Sequence, residues 1–428
     1  MATCPPGGVS IPCVKAMFLS QPFARLRRAF AAALVVIAPL AIPFASHAED
    51  SPATAVAAPA PSLAPELTRV GELSSIPAPS LAVPAWLSLD ANSGQIIAAQ
   101  NSHEKIEPAS LTKIMTAYLV FDALENERLT LDQPVHVSEF AWKTEGSRMF
   151  IQPNSKVTVD ELLKGMIVQS GNDATVALAE AVAGSESAFV ALMNEEAARQ
   201  GLTDTVYENS SGLPGDSHLT TAYDLAILSQ NLIQDFPQYL HYYSQKEYTY
   251  NDIRQNNRNR LLWTDETVDG LKTGHTSSAG YCLVSTALRD GRRIISVVAG
   301  ADSDASRTES SLKLLNWSFQ NFDTVKLFDE DHPAVTARVW QGEHDTVGLG
   351  ITGPLWVTVP RGKGPELTPV ANYTQPLMAP LSEHAEVGSI SISLGDKILR
   401  EDPLHVLSSV EEAGFFGRLV DKVRLLFE

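Results

Sequence analysis

The spacing of hydrophobic positions changes several times along this chain, and each change marks a different kind of element. Ala85-Trp86-Leu87-Ser88-Leu89 and Gln95-Ile96-Ile97-Ala98-Ala99 are apolar runs on either side of Asp90-Ala91-Asn92-Ser93-Gly94, which predicts a β-hairpin. From about 111 to 236 the apolar residues recur at helical spacing. Thr158 and Glu161 form a capping-box pair ahead of Leu162, Leu163, Met166 and Ile167, and Thr221 with Asp224 predicts a second helix start before Leu225, Leu228 and Leu232. Strands return over 281–288 and 293–299, joined by Arg289-Asp290-Gly291-Arg292, and a helix over about 307–322 closes the region. Strands at both ends with helices between them predict one α+β domain, its antiparallel sheet joining distant parts of the chain. Short alternating runs separated by Gly and Pro then predict a small all-β domain over 324–408. In the tail, 409–428, Phe415, Phe416, Leu419, Val420, Val423, Leu426 and Phe427 recur at helical spacing opposite Arg418, Asp421, Lys422 and Arg424. That is an amphipathic helix suited to a membrane interface, the alternative being a terminal helix packed on its own protein.

The N-terminal pattern is different in kind. Arg25, Arg27 and Arg28 precede an apolar run over 29–45, and Ser46 and Ala48 flank His47 as in an A-x-A cleavage site, which predicts an export signal over 1–48. Pro39 and Pro43 interrupt the run, which is shorter than the ~20 residues of a membrane span. Met17 would give a more ordinary signal length than Met1. Residues 49–83 are rich in Ala, Pro and Ser and read as a flexible tether, with the main domain over 84–323. Signal removal takes away Cys4 and Cys13, so Cys282 can form no internal disulfide, and its apolar setting predicts a core position. With 428 residues, 44% hydrophobic, the chain can bury an ample core. A net charge of −18 argues against nucleic acid as a partner, since phosphate binding needs clustered Lys and Arg.

Three Ser-x-x-Lys strings occur, and context separates them. Ser102/Lys105 sits in a polar stretch that reads as a surface connection, and Ser310/Lys313 reads as solvated on a helix. Ser110 opens a run of Leu111, Ile114, Met115, Tyr118, Leu119 and Phe121, so its helix is apolar almost all round and therefore buried. Lys113, one turn on, is then forced into a low dielectric beside the hydroxyl, which lowers its pKa toward that of a general base. Of two Ser-x-Asn strings, Ser229-Gln230-Asn231 falls mid-helix. Ser170-Gly171-Asn172 lies at a Gly-containing turn, where Ser170 could relay a proton and Asn172 could bond a substrate amide. Lys272-Thr273-Gly274 precedes a hairpin and is an edge-strand candidate that can pair with an extended peptide. Lys272 and Thr273 suit a carboxylate, and Gly274 removes the side chain where substrate would approach. Each string alone is weak, whereas the three in this order are specific.

In that order the strings resemble the penicillin-recognising serine enzymes. Pro108-Ala109-Ser110-Leu111-Thr112-Lys113, Gln169-Ser170-Gly171-Asn172-Asp173-Ala174, Asp269-Gly270-Leu271-Lys272-Thr273-Gly274-His275-Thr276, Asn257-Arg258-Asn259 and the Phe415-Phe416-Gly417 tail are similar to the low-molecular-mass penicillin-binding proteins that act as D-alanyl-D-alanine carboxypeptidases. The resemblance implies a β-lactamase/transpeptidase-like domain followed by a small β domain and a membrane-associated helix. It implies an acyl-enzyme on Ser110, Lys113 as base, and main-chain N–H groups of Ser110 and His275 as the oxyanion hole. Lys272, Thr273 and Arg307 would bind the terminal carboxylate, although a solvated helix-start Arg is an equally ordinary reading of Arg307. No metal or cofactor is implied. The implied partners are a peptidoglycan stem peptide ending in D-Ala-D-Ala, β-lactams, and the periplasmic face of the inner membrane. A class A β-lactamase would need a Glu-x-x-Leu-Asn element, and the nearest string, Glu208-Asn209-Ser210-Ser211-Gly212, lacks the Leu-Asn. A DD-endopeptidase or transpeptidase of the same fold would carry the same three strings, and so would a non-catalytic β-lactam sensor or scaffold that retains them.

Overall fold

A computed structural model describes residues 69–329 and 332–426. The export signal read at 1–48 lies outside the described residues, as does the first part of the tether. The expected hairpin is present as β1 (Ala85–Asp90) and β2 (Ile96–Gln100). The chain then leaves the sheet for a mainly helical region and returns as β3 (Val268–Thr276), β4 (Gly280–Arg289) and β5 (Arg292–Ala301). These strands form one antiparallel sheet in the order β2-β1-β5-β4-β3, so first and last elements meet at its centre and β3 lies at an edge. The β4–β5 turn places Asp290 and Gly291 at φ 50° and 78°, the left-handed pair that a two-residue hairpin of this hand requires.

Both faces of the sheet are covered, as the continuous apolar runs of β1 and β5 demand. Ala85, Leu87, Leu89, Ile295 and Val297 face the helical region, whereas Trp86, Ile294 and Val298 face the opposite layer. On the first face pack α1 (Lys113–Glu125), α2 (Val159–Lys164), α3 (Asn172–Ala183), α4 (Glu186–Arg199) and α5 (Ala222–Asp235). The capping box at α2 is complete, with the Thr158 hydroxyl accepting from Glu161 N–H and the Glu161 carboxylate accepting from Thr158 N–H. Thr221 caps α5 by accepting from Asp224 N–H at 3.0 Å. The other face carries α6 (Asp304–Asn321), which begins earlier than the apolar spacing predicts because the Ser303 side chain accepts from Ser306 N–H.

Three expectations need correction. Both ends of 70–83, assigned to the tether, pack against the sheet: Val70 is fully buried and Val83 joins the same core, because their apolar side chains outweigh the flexible composition around them, whereas 75–78 are exposed. The stretch around Ser102 is the expected surface turn, with Asn101, His103 and Glu104 exposed, but Ser102 itself is buried, its carbonyl accepting from Tyr223 N–H at 2.9 Å. Ser310 also faces inward, while Lys313 is exposed and donates to the Ser80 carbonyl. Cys282 is in the core as expected, with its thiol near the Ala279 carbonyl and its pKa raised by burial.

The second part of the chain is all-β. It comprises β6 (Phe322–Phe328), β7 (Val335–Trp340), β8 (Thr346–Gly350), β9 (Leu355–Pro360), β10 (Leu367–Tyr373), β11 (Leu377–Met378), β12 (Glu386–Leu394) and β13 (Lys397–Val406). β6 pairs with β9, and the other six form a sheet in the order β10-β12-β13-β8-β7-β11 around Val339, Leu349, Ile392 and Leu404. The last helix is α7 (Phe415–Leu425).

Candidate active site

Ser110 lies in a 3-10 turn, Ala109–Thr112, that runs directly into α1. Apart from Asp122 and Glu125, every residue of α1 is buried, as its unbroken hydrophobicity predicts. Lys113 is consequently 1% exposed. Its ammonium donates to Ser110 Oγ at 3.0 Å, Asn172 Oδ1 at 2.7 Å and the Ser211 carbonyl at 2.5 Å. Loss of water pushes its pKa down to about 7, helped by the nearby Arg258 charge and opposed by Asp173. Asn172 Oδ1 and Ser211 O can only accept. A neutral amine therefore keeps its two hydrogens on them and turns its lone pair to the one neighbour that can donate, the Ser110 hydroxyl.

Ser170 follows a π-helical turn, Gly165–Gln169, and sits in the left-handed region at φ 67°. Its Oγ is buried with no hydrogen-bond partner among the described residues. Asn172, at the start of α3, also donates from Nδ2 to the Glu145 carbonyl at 2.6 Å. One end of its amide thus holds Lys113, and the end expected to meet a substrate is already partly engaged with the chain. Asp173 beside it is fully buried, and its carboxylate accepts from the N–H groups of Met149, Phe150, Ile151 and Ala174. This fixes the loop that carries Ser147 into the cleft.

Lys272, Thr273 and Gly274 lie on β3, opposite Val284, Leu283 and Cys282 of β4. Lys272 is buried, donates to the Thr273 carbonyl, and its pKa falls well below the ordinary value through loss of water and the charges of Lys113, Arg258 and Arg307. Gly274 lines the cleft, and its lack of a side chain also has a packing reason. A Cβ there would lie 3.0 Å from the Pro108 carbonyl and 3.3 Å from Ala109 Cβ, so the missing side chain lets β3 pack against the Ser110 turn. His275 is exposed and lies 4.0 Å, ring to ring, from Tyr281. Arg307 is not a solvated helix-start residue: it is 5% exposed, donates to the Gly274 and Cys282 carbonyls, and pairs with Asp304 at 2.5 Å.

Ser110, Ser170, Thr273, Gly274, His275 and Arg307 line one cleft of about 520 Å³, with Lys113, Asn172 and Lys272 buried in its wall. Three strings separated by some 60 and 100 positions therefore meet at one place. The cleft also contains residues that the strings do not name. Arg258 reaches it from between Asn257 and Asn259, both buried and bonded to the Gln245 and Gly270 carbonyls. Trp263, 48% exposed, and the Arg260–Asp304 pair complete that side. The string Asn257-Arg258-Asn259 was the available signal for Arg258. Nothing in the sequence marked the Ser211 carbonyl, because its contribution is main-chain. Glu208, the nearest match to a deacylating acid, instead accepts from Ser217 N–H at 3.0 Å within its own loop.

A cleft serine paired with a buried lysine at a helix start, a Ser-Gly-Asn turn and an edge strand carrying Lys-Thr-Gly define a penicillin-binding serine peptidase fold. The profile of the D-alanyl-D-alanine carboxypeptidase peptidases matches residues 73–303, and that of the penicillin-binding protein 5 C-terminal domain matches 322–412. The chain belongs to the D-alanyl-D-alanine carboxypeptidase family. D-alanyl-D-alanine carboxypeptidase DacC of Escherichia coli strain K12 is 44% identical over 361 residues, 82% of this chain and 90% of that protein. Penicillin-binding protein 5 from Haemophilus influenzae superposes with a TM-score of 0.76 at 38% identity, covering 79% of this chain and 100% of that one. Penicillin-binding protein D2 from Listeria monocytogenes, solved in its ampicillin-bound form, superposes at 0.53 with 31% identity over 57% of this chain and 100% of its own. The expected fold, helices on an antiparallel sheet followed by a small β domain, is the one that the two profiles and the Haemophilus structure support, and the expected terminal helix is present here as α7.

Proposed function

We propose that Ser110 attacks the carbonyl of the penultimate D-alanine of a peptidoglycan stem peptide, releasing the terminal D-alanine, and that water then hydrolyses the resulting ester. The observation that carries this is the 3.0 Å contact between Ser110 Oγ and a fully desolvated Lys113 whose pKa stands near 7. Neutral Lys113 takes the hydroxyl proton as the C–O bond forms. Ser170, whose Oγ faces the cleft without a partner, passes that proton to the departing amine. The N–H groups of Ser110 and His275 stabilise the oxyanion. Thr273, Lys272 and Arg307 receive the terminal carboxylate, which adds an anion to a cleft wall dominated by cations. Asn172 holds Lys113 and has its second amide hydrogen left for the substrate backbone. A β-lactam would acylate Ser110 by the same route, as the ampicillin-bound relative suggests.

The reading extends to location. Export through 1–48 would deliver the domain to the periplasm. There α7, with Phe415 69% and Phe416 81% exposed and no buried residue, would lie in the membrane surface by its apolar face. Among the described residues no single helix is long and apolar enough to cross a membrane.

Release of D-alanine from a pentapeptide tests the assignment. Ser110→Ala should lose at least about 10³-fold in rate. Equal rates for variant and wild type would overturn the mechanism, and cross-bridge cleavage outrunning D-alanine release would make the enzyme an endopeptidase instead.

A further inference from the structure

The mechanism above leaves one buried titratable group next to the nucleophile unused. His218 is 2% exposed, and its Nε2 lies 2.8 Å from Thr112 Oγ1, two residues after Ser110. Thr112 Oγ1 in turn donates to the Ala109 carbonyl at 2.8 Å. Ala109 immediately precedes Ser110 and is held at φ 46°, a left-handed conformation that is strained for a residue with a Cβ. Its carbonyl also faces Gly212, where a Cβ would come within 1.8 Å of it. Strain of this kind persists only where neighbours hold it in place.

We propose that His218 is a positioning residue for acylation, fixing through Thr112 the strained Ala109–Ser110 peptide that presents the nucleophile, and that only its neutral Nε2–H tautomer can do so. The proposal rests on Ser110 being the nucleophile. The tautomer follows from the partners. Because the Thr112 hydroxyl gives its proton to Ala109, its oxygen accepts from His218, so Nε2 carries hydrogen. Nδ1 accepts from Glu208 N–H at 3.1 Å, so it must be bare. A second proton would set two donors against each other at Glu208. It would do so in the loop that also delivers the Ser211 carbonyl to Lys113. One histidine thus supports both partners of the catalytic pair.

The surroundings keep that proton away. Burial lowers the His218 pKa to about 4, partly opposed by the Glu208 and Glu107 carboxylates, and the other close groups, Asn209 at 3.4 Å and the Tyr207 ring at 5.8 Å, carry no charge near neutral pH. In the unfolded chain the imidazole titrates near ~6.5. The folded pKa is the lower one, so the unfolded state gains the proton first as pH falls. The stabilising effect is complete above about 6.5 and is lost between there and about 4.

Glutamine offers an N–H at one end and an acceptor at the other but cannot protonate, which separates the two halves of the proposal. Acylation by a chromogenic β-lactam should be at least about tenfold slower in His218→Leu, with the pre-acylation dissociation constant within about threefold of wild type. His218→Gln should keep the acylation rate within about threefold and unfold at a lower pH than wild type. Thr112→Val, which breaks the link from its other end and leaves the imidazole in place, should slow acylation like His218→Leu. The double variant should then be no slower than either single one. Wild-type acylation in His218→Leu, full additivity in the double variant, or a Gln variant as slow as Leu would each overturn the proposal. Because Ser110→Ala is assayed alongside, continued acylation there would instead overturn the nucleophile assignment.

Discussion

An ammonium with three acceptors around it, as Lys113 has, is stabilised by hydrogen bonds and destabilised by the loss of water, and the second effect is the larger. A fall in pKa from 10.5 to about 7 in a fully buried group corresponds to a bias of on the order of 5 kcal/mol toward the neutral amine. The consequence for rate has a definite sign. Below pH 7 the lone pair is protonated, so acylation should fall about tenfold per pH unit and level off above about pH 8. Rapid-mixing measurements with a fluorescent penicillin between pH 5 and 9 would trace this limb. Arg258 is the second cause of the depression, so Arg258→Gln should move the limb to higher pH and slow acylation at pH 7. A limb that stays in place would mean that the Arg258 charge does not reach Lys113.

Elements meet at this site through unusually close backbone contacts. The loop carrying Asn209 is tied by that side chain, whose Oδ1 accepts from the N–H groups of Ser211, Gly212 and Leu213, and it presses Gly212 against the Ser110 turn. Gly212 has φ 86°, so an alanine there meets both strain and collision. Gly212→Ala should cost about 2–4 kcal/mol in urea unfolding and should also slow acylation, since the same loop positions the Ser211 carbonyl. The same contacts show why part of the site was legible in the sequence and part was not. The roles proposed for Ser110, Lys113, Ser170 and Lys272 rest on side chains of distinctive chemistry, and a buried apolar helix separates Ser110 from two other serines with the same local string. The Ser211 carbonyl and Asn209 leave no such signature, because any residue has a carbonyl and asparagines are common in turns. Gly274 was legible as a glycine, but its packing against Pro108 and Ala109 was not, because that contact depends on a helix turn far away in the sequence. Ser102 and Ser310 are buried although their neighbours in sequence are polar: a small side chain fits under larger ones, so local polarity says little about its exposure.

At the scale of the whole molecule, the two folded parts join without a spacer. α6 ends at Asn321 and β6 begins at Phe322. The turn of the first hairpin is fastened to the β domain by Ser93 Oγ to Thr358 Oγ1 at 2.7 Å, Gln95 Oε1 to Thr358 N–H at 2.7 Å, and Arg400 to the Ser93 carbonyl at 2.8 Å. The buried Arg292–Asp90 pair reinforces the same junction, with Thr324 on the same carboxylate. At the far end, Asp421 of α7 accepts from Gln341 N–H at 2.8 Å, so the helix is held to the β domain by its polar face while its apolar face stays exposed. Replacing Phe415 and Phe416 together with serine should weaken liposome binding by about 100-fold or more. D-alanine release from a soluble pentapeptide should be unchanged. Co-flotation with vesicles and a parallel rate assay would check both halves.

The Asp421 contact has a consequence for encounter rather than for chemistry. If α7 lies flat on a bilayer, a helix held by hydrogen bonding to a body that is itself continuous with the peptidase domain sets the height and aim of the cleft. Stem peptides inside that thin layer would meet the enzyme at a raised effective concentration, and those outside it would scarcely meet it at all. Substrate choice in the cell would then depend on distance from the membrane as well as on the residues of the cleft. Asp421→Ala would blur that distance without touching a catalytic atom.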